Sequence, residues 1–131
     1  MKNVKKSSIL TFLLLLGAIF SFDASAISRD EMYSMARLAA NKAAEAEMNK
    51  ISPNTGKDPN YELIYDSFTY SGGVIECSVN LSWSAKNQMI FGTRKTCRCM
   101  AKMKIYSDGS YSYSVVSTND WYDVCKRSHL F

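Results

Sequence analysis

The stretch TCRCMAKMKIYSDGSYSYSVV, Thr96–Val116, decides how the rest of the chain is read. Cys97, Cys99, Ala101, Met103 and Ile105 point one way, and Arg98, Met100, Lys102, Lys104 and Tyr106 the other. A period of two is the repeat of a strand with one buried face. Ser107-Asp108-Gly109 then supplies turn chemistry, with Gly109 free to take positive φ. A three-residue loop there pairs Tyr106 with Ser110 and sets Ile105 against Tyr111, Met103 against Tyr113 and Ala101 against Val115. A two-residue Asp-Gly turn would carry Ser112 and Ser114 to the buried side, so the longer loop is expected.

Upstream the same alternation recurs. In Val74–Trp83, Ile75, Cys77, Val79, Leu81 and Trp83 share one face, while Glu76, Ser78, Asn80 and Ser82 share the other. Tyr61–Tyr70, YELIYDSFTY, is rich in β-forming residues, and Ser71-Gly72-Gly73 turns the chain. Residues 51–60, ISPNTGKDPN, hold both prolines and a glycine and read as a loop. Before them the period becomes helical. Ser28-Arg29-Asp30-Glu31 fits a capping box. Neither Gly nor Pro follows until after Lys50, and Met32, Met35, Ala36, Ala39, Ala43 and Ala46 form one apolar stripe. The expected fold is therefore α+β: one N-terminal helix, about residues 29–50, packed on a roughly four-stranded antiparallel sheet within 61–118. An irregular segment, 119–131, is expected to complete a single domain, 27–131.

Residues 1–26 have the layout of a secretory signal peptide. Lys2, Lys5 and Lys6 precede the apolar run Ile9–Phe20, and Ala24-Ser25-Ala26 offers small residues for cleavage after Ala26. The run is shorter than the ~20 residues of a spanning helix, so no stable membrane anchor is expected after cleavage. Removal takes three lysines and Asp23 from 16 basic and 12 acidic residues, leaving 13 and 11. A chain so near neutrality lacks the basic excess of a nucleic-acid binder.

All four cysteines, Cys77, Cys97, Cys99 and Cys125, lie beyond the leader, and an even count in an exported chain reads as two disulfides. A hairpin turning near Asn87 or Gln88 would bring Cys77 opposite Cys97 or Cys99. Extending the later hairpin sets Cys99 against Ser117, Cys97 against Asn119 and Thr96 against Asp120. Cys125 then reaches Cys97 more easily, which gives Cys77–Cys99 and Cys97–Cys125, with the swapped pairing as the alternative. A strand interior supplies nothing to lower a thiol pKa for redox work, and the spacing lacks the paired knuckles of a zinc site. No metal or cofactor is expected.

Lys86–Lys104 contains Lys86, Arg94, Lys95, Arg98, Lys102 and Lys104 and no acidic residue. On one strand face Arg98, Lys102, Lys104 and Tyr106 are candidate binding residues for an acidic protein or an anionic glycan; the plainer reading is a solvated face. Trp121 and Tyr122, in STNDWYDVC, are candidate surface aromatics for stacking on sugars or anchoring an interface. The one histidine, His129, sits in the terminal segment, which leaves no held acid–base pair. Asp120 and Asp123 with Glu76 or Glu62 could pair as carboxylates. The expected function is that of a small exported, periplasmic or secreted, non-enzymatic binding protein. An inhibitor, immunity-type or envelope accessory role comes first. The alternatives are a glycan-binding subunit of a secreted toxin or adhesin, and a small carboxylate-based hydrolase.

Overall fold

The computed structural model describes residues 27–87 and 93–129. The expected leader with its Ala26 cleavage point, the Gln88 turn position, the His129 side chain and the last two residues lie outside the described residues. Helix α1 spans Arg29–Ile51, and the capping box forms as the sequence spells it. Ser28 Oγ accepts from the Glu31 amide, and Glu31 Oε1 accepts from the Ser28 amide, both at 3.1 Å. Five antiparallel strands follow: β1 Lys57–Leu63, β2 Thr69–Ser71, β3 Val74–Lys86, β4 Arg94–Tyr106 and β5 Tyr111–Thr118. A short 3-10 turn, Tyr65–Ser67, separates β1 from β2, and both pair with β3, so they form one interrupted border row. The sheet runs in the order β1-β3-β4-β5. Helix α2, Asp120–His129, closes the chain.

The first strand starts earlier than the loop expectation allowed. Lys57-Asp58-Pro59 already belongs to β1, with a register shift before Asn60 and Asp58 at φ 59°. A proline without an N–H is tolerated there because β1 is an outer strand, and Asp is among the residues that accept a left-handed backbone.

The alternating residues behave as their period demands. Ile75, Cys77, Val79, Leu81 and Trp83 from β3 are buried together with Cys97, Cys99, Ala101, Met103 and Ile105 from β4. The β4–β5 hairpin also has its expected register: Gly109 takes φ 88°, and Ile105 faces Tyr111, Met103 faces Tyr113 and Ala101 faces Val115.

α1 covers this face with alanine. Ala36, Ala39, Ala40, Ala43 and Ala44 are buried, followed by Glu47, Met48 and Ile51. Side chains of one methyl let the helix axis come close to the strands, and each tight contact adds dispersion that a larger residue would forfeit by pushing the layers apart. Ala46, expected on the stripe, is exposed, and Glu47 occupies the buried position instead. At its N-terminal end α1 is held by aromatic contacts, Tyr33 meeting Tyr65 and Phe68 edge-on with ring centroids 4.9 and 5.0 Å apart. At its C-terminal end Gly56 packs so tightly that an added Cβ would overlap Met48.

Two expectations are corrected. The segment expected to be irregular contains α2, started by Asn119, whose Oδ1 accepts from the Tyr122 amide at 3.0 Å. Trp121, Tyr122, Cys125 and Ser128 are buried, at helical spacing. Trp121 and Tyr122 are accordingly core residues and not surface aromatics. The Trp121 indole donates to the Ala85 carbonyl at 2.9 Å, and Lys95 Nζ lies 5.0 Å above its ring.

The second correction concerns the β3–β4 register. It pairs Val74 with Tyr106 and Lys86 with Arg94, which sets Cys77 opposite Met103 and Cys99 opposite Leu81. The partner of Cys77 therefore lies four residues farther along β4 than Cys99 and six farther than Cys97. An even displacement keeps every side chain on its face while changing every cross-strand partner.

Candidate functional site

The covered face holds the molecule's buried chemistry. Glu47 is 1% exposed and accepts from two phenols, Tyr113 at 2.8 Å and Tyr122 through its other oxygen. Both hydroxyl donors come from elements the sequence reading had not brought to the helix. Burial raises the pKa of Tyr113 and Tyr122, and the hydrogen bonds to Glu47 raise them further. Beside this cluster, burial pushes the Cys99 thiol up to about 12, with the Glu47 charge adding to it.

All four cysteines are buried free thiols in this structure. Cys77 lies four residues along the ladder from the partner of Cys99, roughly 14 Å away at strand rise. A disulfide tolerates a Cα separation of at most ~7 Å, so the expected Cys77–Cys99 bridge is ruled out by register. The swapped pairing fails the same way, since Cys97 is farther still from Cys77. Cys97 and Cys125 do meet: their thiols interact directly, next to Ser52, whose hydroxyl accepts from the Trp83 indole at 3.0 Å. Burial pushes Cys97 up to about 12, the neighbouring Cys125 adding to it, and pushes Cys77 up to about 11. Thiols held protonated in this way are poor nucleophiles.

Among the described residues no helix packs on the other face of the sheet, and this face is the candidate site. The long side chains stand on β4: Arg94, Arg98, Met100, Lys102, Lys104 and Tyr106, which all share the open face by alternation. The strands beside it carry mostly short polar ones, Ser78, Asn80 and Ser82 on β3, Ser112 and Ser114 on β5, with one carboxylate, Glu76, opposite Lys104. The outcome is a basic ridge along the middle strand, bordered by hydroxyls and amides. Among the described residues the side chains of Arg98, Lys102 and Lys104 make no hydrogen bond or ion pair. Arg94 is held by Ser84, its Nη1 donating at 3.0 Å.

Midway along β3 and β4, beside the end of β5, this face forms a trough of about 640 Å³. Register explains it. Glu62, Asn80, Met100 and Ser117 form one transverse row across four strands, and Asn60, Ser82, Arg98 and Asn119 form the next. A bulge between Met100 and Ala101 makes the trough: β5 gains an extra residue, Val116 is thrown outward at 49% exposure, and Cys99 faces Thr118. The expectation that Cys99 faces Ser117 is corrected by this one residue. Bulges bend a strand and re-aim its side chains. Asn119 locks the corner, accepting from the Arg98 amide and donating to the Thr96 carbonyl, both at 3.0 Å.

The carboxylates considered for hydrolysis are not brought together. Glu62 stands at the trough, Glu76 is opposite Lys104 near the start of β3, and Asp123 accepts from Thr118 at 2.7 Å. Among the described residues no three His, Cys, Asp or Glu side chains converge as metal ligands, and no helix is long and apolar enough to cross a membrane. No protein-family model, no curated protein and no solved structure matches this chain.

Proposed function

We propose that this chain is a small exported, non-enzymatic binding protein that docks another protein, one with an acidic surface, against the open face of its sheet. The observation that carries the reading is the asymmetry of the two faces. One is sealed by both helices, and the other presents Arg98, Lys102 and Lys104 on rigid backbone, none of them in an ion pair among the described residues, although Glu76 stands across from Lys104. An excess of exposed cations of this kind steers an oppositely charged partner and sets its register more than it adds raw affinity. Inhibitor, immunity-type and envelope accessory roles all use such a plate.

Export is supported by the three-part layout of residues 1–26. In an oxidising compartment Cys97 and Cys125 form the single bridge, leaving Cys77 and Cys99 as thiols. The two thiols lose two protons and pass two electrons to a disulfide oxidant of that compartment by exchange. Intact mass then falls by two hydrogens, and digestion maps the link to the Cys97 and Cys125 peptides.

Docking is tested with photo-reactive residues placed at Lys104 on the open face and at Lys42 on the outer side of α1. Labelling of one acidic protein from Lys104 alone, abolished by Lys102→Glu, supports the reading. Equal labelling from both positions, or labelling insensitive to Lys102→Glu, overturns it.

A further inference from the structure

The trough differs from the ridge in chemistry. The charges of the ridge are all cationic, but the trough mixes signs and neutral groups within two transverse rows. Arg98 stands on one side of it and Glu62 on the other, two strands away and one row across. Between them lie the Asn80 amide, the Ser82 hydroxyl and the Met100 thioether, with Ser117 beyond on the bulged strand. Among the described residues the side chains of Glu62, Asn80, Ser82, Arg98 and Ser117 have no hydrogen-bond partner. Unspent donors and acceptors of both kinds are thus gathered in one concavity. Its volume falls within the ~300–1,000 Å³ usual for small-ligand sites.

We propose that this trough binds a sugar bearing a carboxylate. Each feature of such a ligand has a counterpart. A guanidinium presents a planar fork that matches a carboxylate with two parallel hydrogen bonds. The Glu62 carboxylate accepts from ring hydroxyls, and Asn80, Ser82 and Ser117 both donate and accept, as a polyol requires. Met100, the one apolar side chain of the two rows, offers a soft surface to the C–H face of the ring. A simple inorganic anion would use Arg98 but leave Glu62 as a like charge nearby. A neutral sugar would use the hydroxyls but leave the guanidinium unpaired. The strands hold these groups in fixed register, so little ordering is needed on binding.

The inference shares Arg98 with the protein-docking reading but does not need Lys102 or Lys104, which lie outside the trough. The shared chemistry could come as a free sugar acid or as the terminal residue of an oligosaccharide.

The test uses the chain recovered after export, labelled for amide and guanidinium NMR, and titrated with sodium glucuronate, a glucuronic-acid-terminated oligosaccharide, methyl glucoside and sodium acetate. Glucuronate is expected to shift the Asn80 side-chain amide and the Arg98 Nε–H at millimolar concentration, with the glucoside and acetate at least about ten-fold weaker. Tighter binding of the oligosaccharide than of glucuronate assigns the glycan terminus as the source; equal binding assigns the free acid. Arg98→Gln, at an exposed side chain whose backbone amide is kept, is expected to erase the preference for glucuronate over the glucoside. Asn80→Ala is expected to weaken both. Equal shifts from acetate would reduce the site to a bare anion contact and overturn the proposal. So would shifts confined to Lys102 and Lys104, or none at all. Loss of partner labelling by Lys102→Glu with sugar binding intact separates the two readings.

Discussion

The two faces of this sheet are built from the same strands yet follow opposite rules. On the covered face, side chains are mostly apolar or sulfur-bearing, no buried side-chain nitrogen or oxygen among the described residues lacks a partner, and the helix above contributes mostly methyl groups. On the open face, short hydroxyls and amides flank a line of long cations, and five side chains of the trough have no hydrogen-bond partner among the described residues. The first face has no spare capacity and therefore makes stability. The second leaves capacity unspent and therefore has something to offer a ligand. Substitutions on the two faces should separate accordingly: folding free energy moves with one, binding with the other.

The sharpest way to break this contrast is Trp121→Ala. It removes a buried indole, its bond to the Ala85 carbonyl and the platform under Lys95. A loss of about 4 kcal/mol is expected in urea unfolding. A change under 1 kcal/mol, on the order of an exposed-site effect, would return Trp121 to the surface role that its sequence context suggested.

Reduction of the proposed Cys97–Cys125 bridge is expected to cost about 3 kcal/mol, from the loop it closes. Alkaline titration sharpens the same point. Cys77 and Cys99 have folded values raised from 9.0 to about 11 and about 12, so they favour the folded state while protonated. Their contribution is complete below pH 9 and is lost as pH rises toward 11–12, because the unfolded chain releases those protons first. Tyr113 and Tyr122, also raised, deepen the loss above pH 10. With the bridge closed, Cys97 and Cys125 drop out of this titration. Tm measured against pH should therefore fall less steeply in the oxidised protein than in the reduced one.

Glu47→Ala comes next, at about 2 kcal/mol, since it leaves the Tyr113 and Tyr122 hydroxyls without an acceptor. Adding Tyr113→Phe to that variant should restore part of the loss; a strictly additive double mutant would show that the phenol is solvated. The smallest effect belongs to the open face, where Ser114→Ala and Lys102→Ser should stay within about 0.5 kcal/mol by the same unfolding assay.

How much of this could be read in advance differs between two hairpins. Ser107-Asp108-Gly109 is a turn with one good solution, so the β4–β5 partners followed down to Ala101–Val115, until the bulge shifted the rest by one residue. Asn87 and the residues after it offer no comparable pin. Faces were legible there because alternation alone determines them, while partners were not, because a slip of four or six residues satisfies the same hydrophobic pattern. The disulfide guess and the trough both depended on partners. The first failed for that reason, and the second could not be seen at all. α2 is a different case, since its signal was present in Asn119 as a cap, Asp120 and Asp123 in the first turn, and buried residues three and four apart. The prominence of Trp121 and Tyr122 as aromatics masked it. Glu47 was hidden in the same manner, as one charge among alanines, with both of its partners more than sixty residues away.

The interruption of the first border row bears on how the molecule keeps to itself. Pro59, the register shift at Asp58 and the 3-10 turn Tyr65–Ser67 break one flank of the sheet, and the Val116 kink bends the other. Neither flank offers the long, straight run of free amides that a stray strand needs for templated growth into fibrils. Such edges are expected to discourage edge-to-edge polymerisation when the chain is concentrated, leaving the open face as the broader surface for a binder.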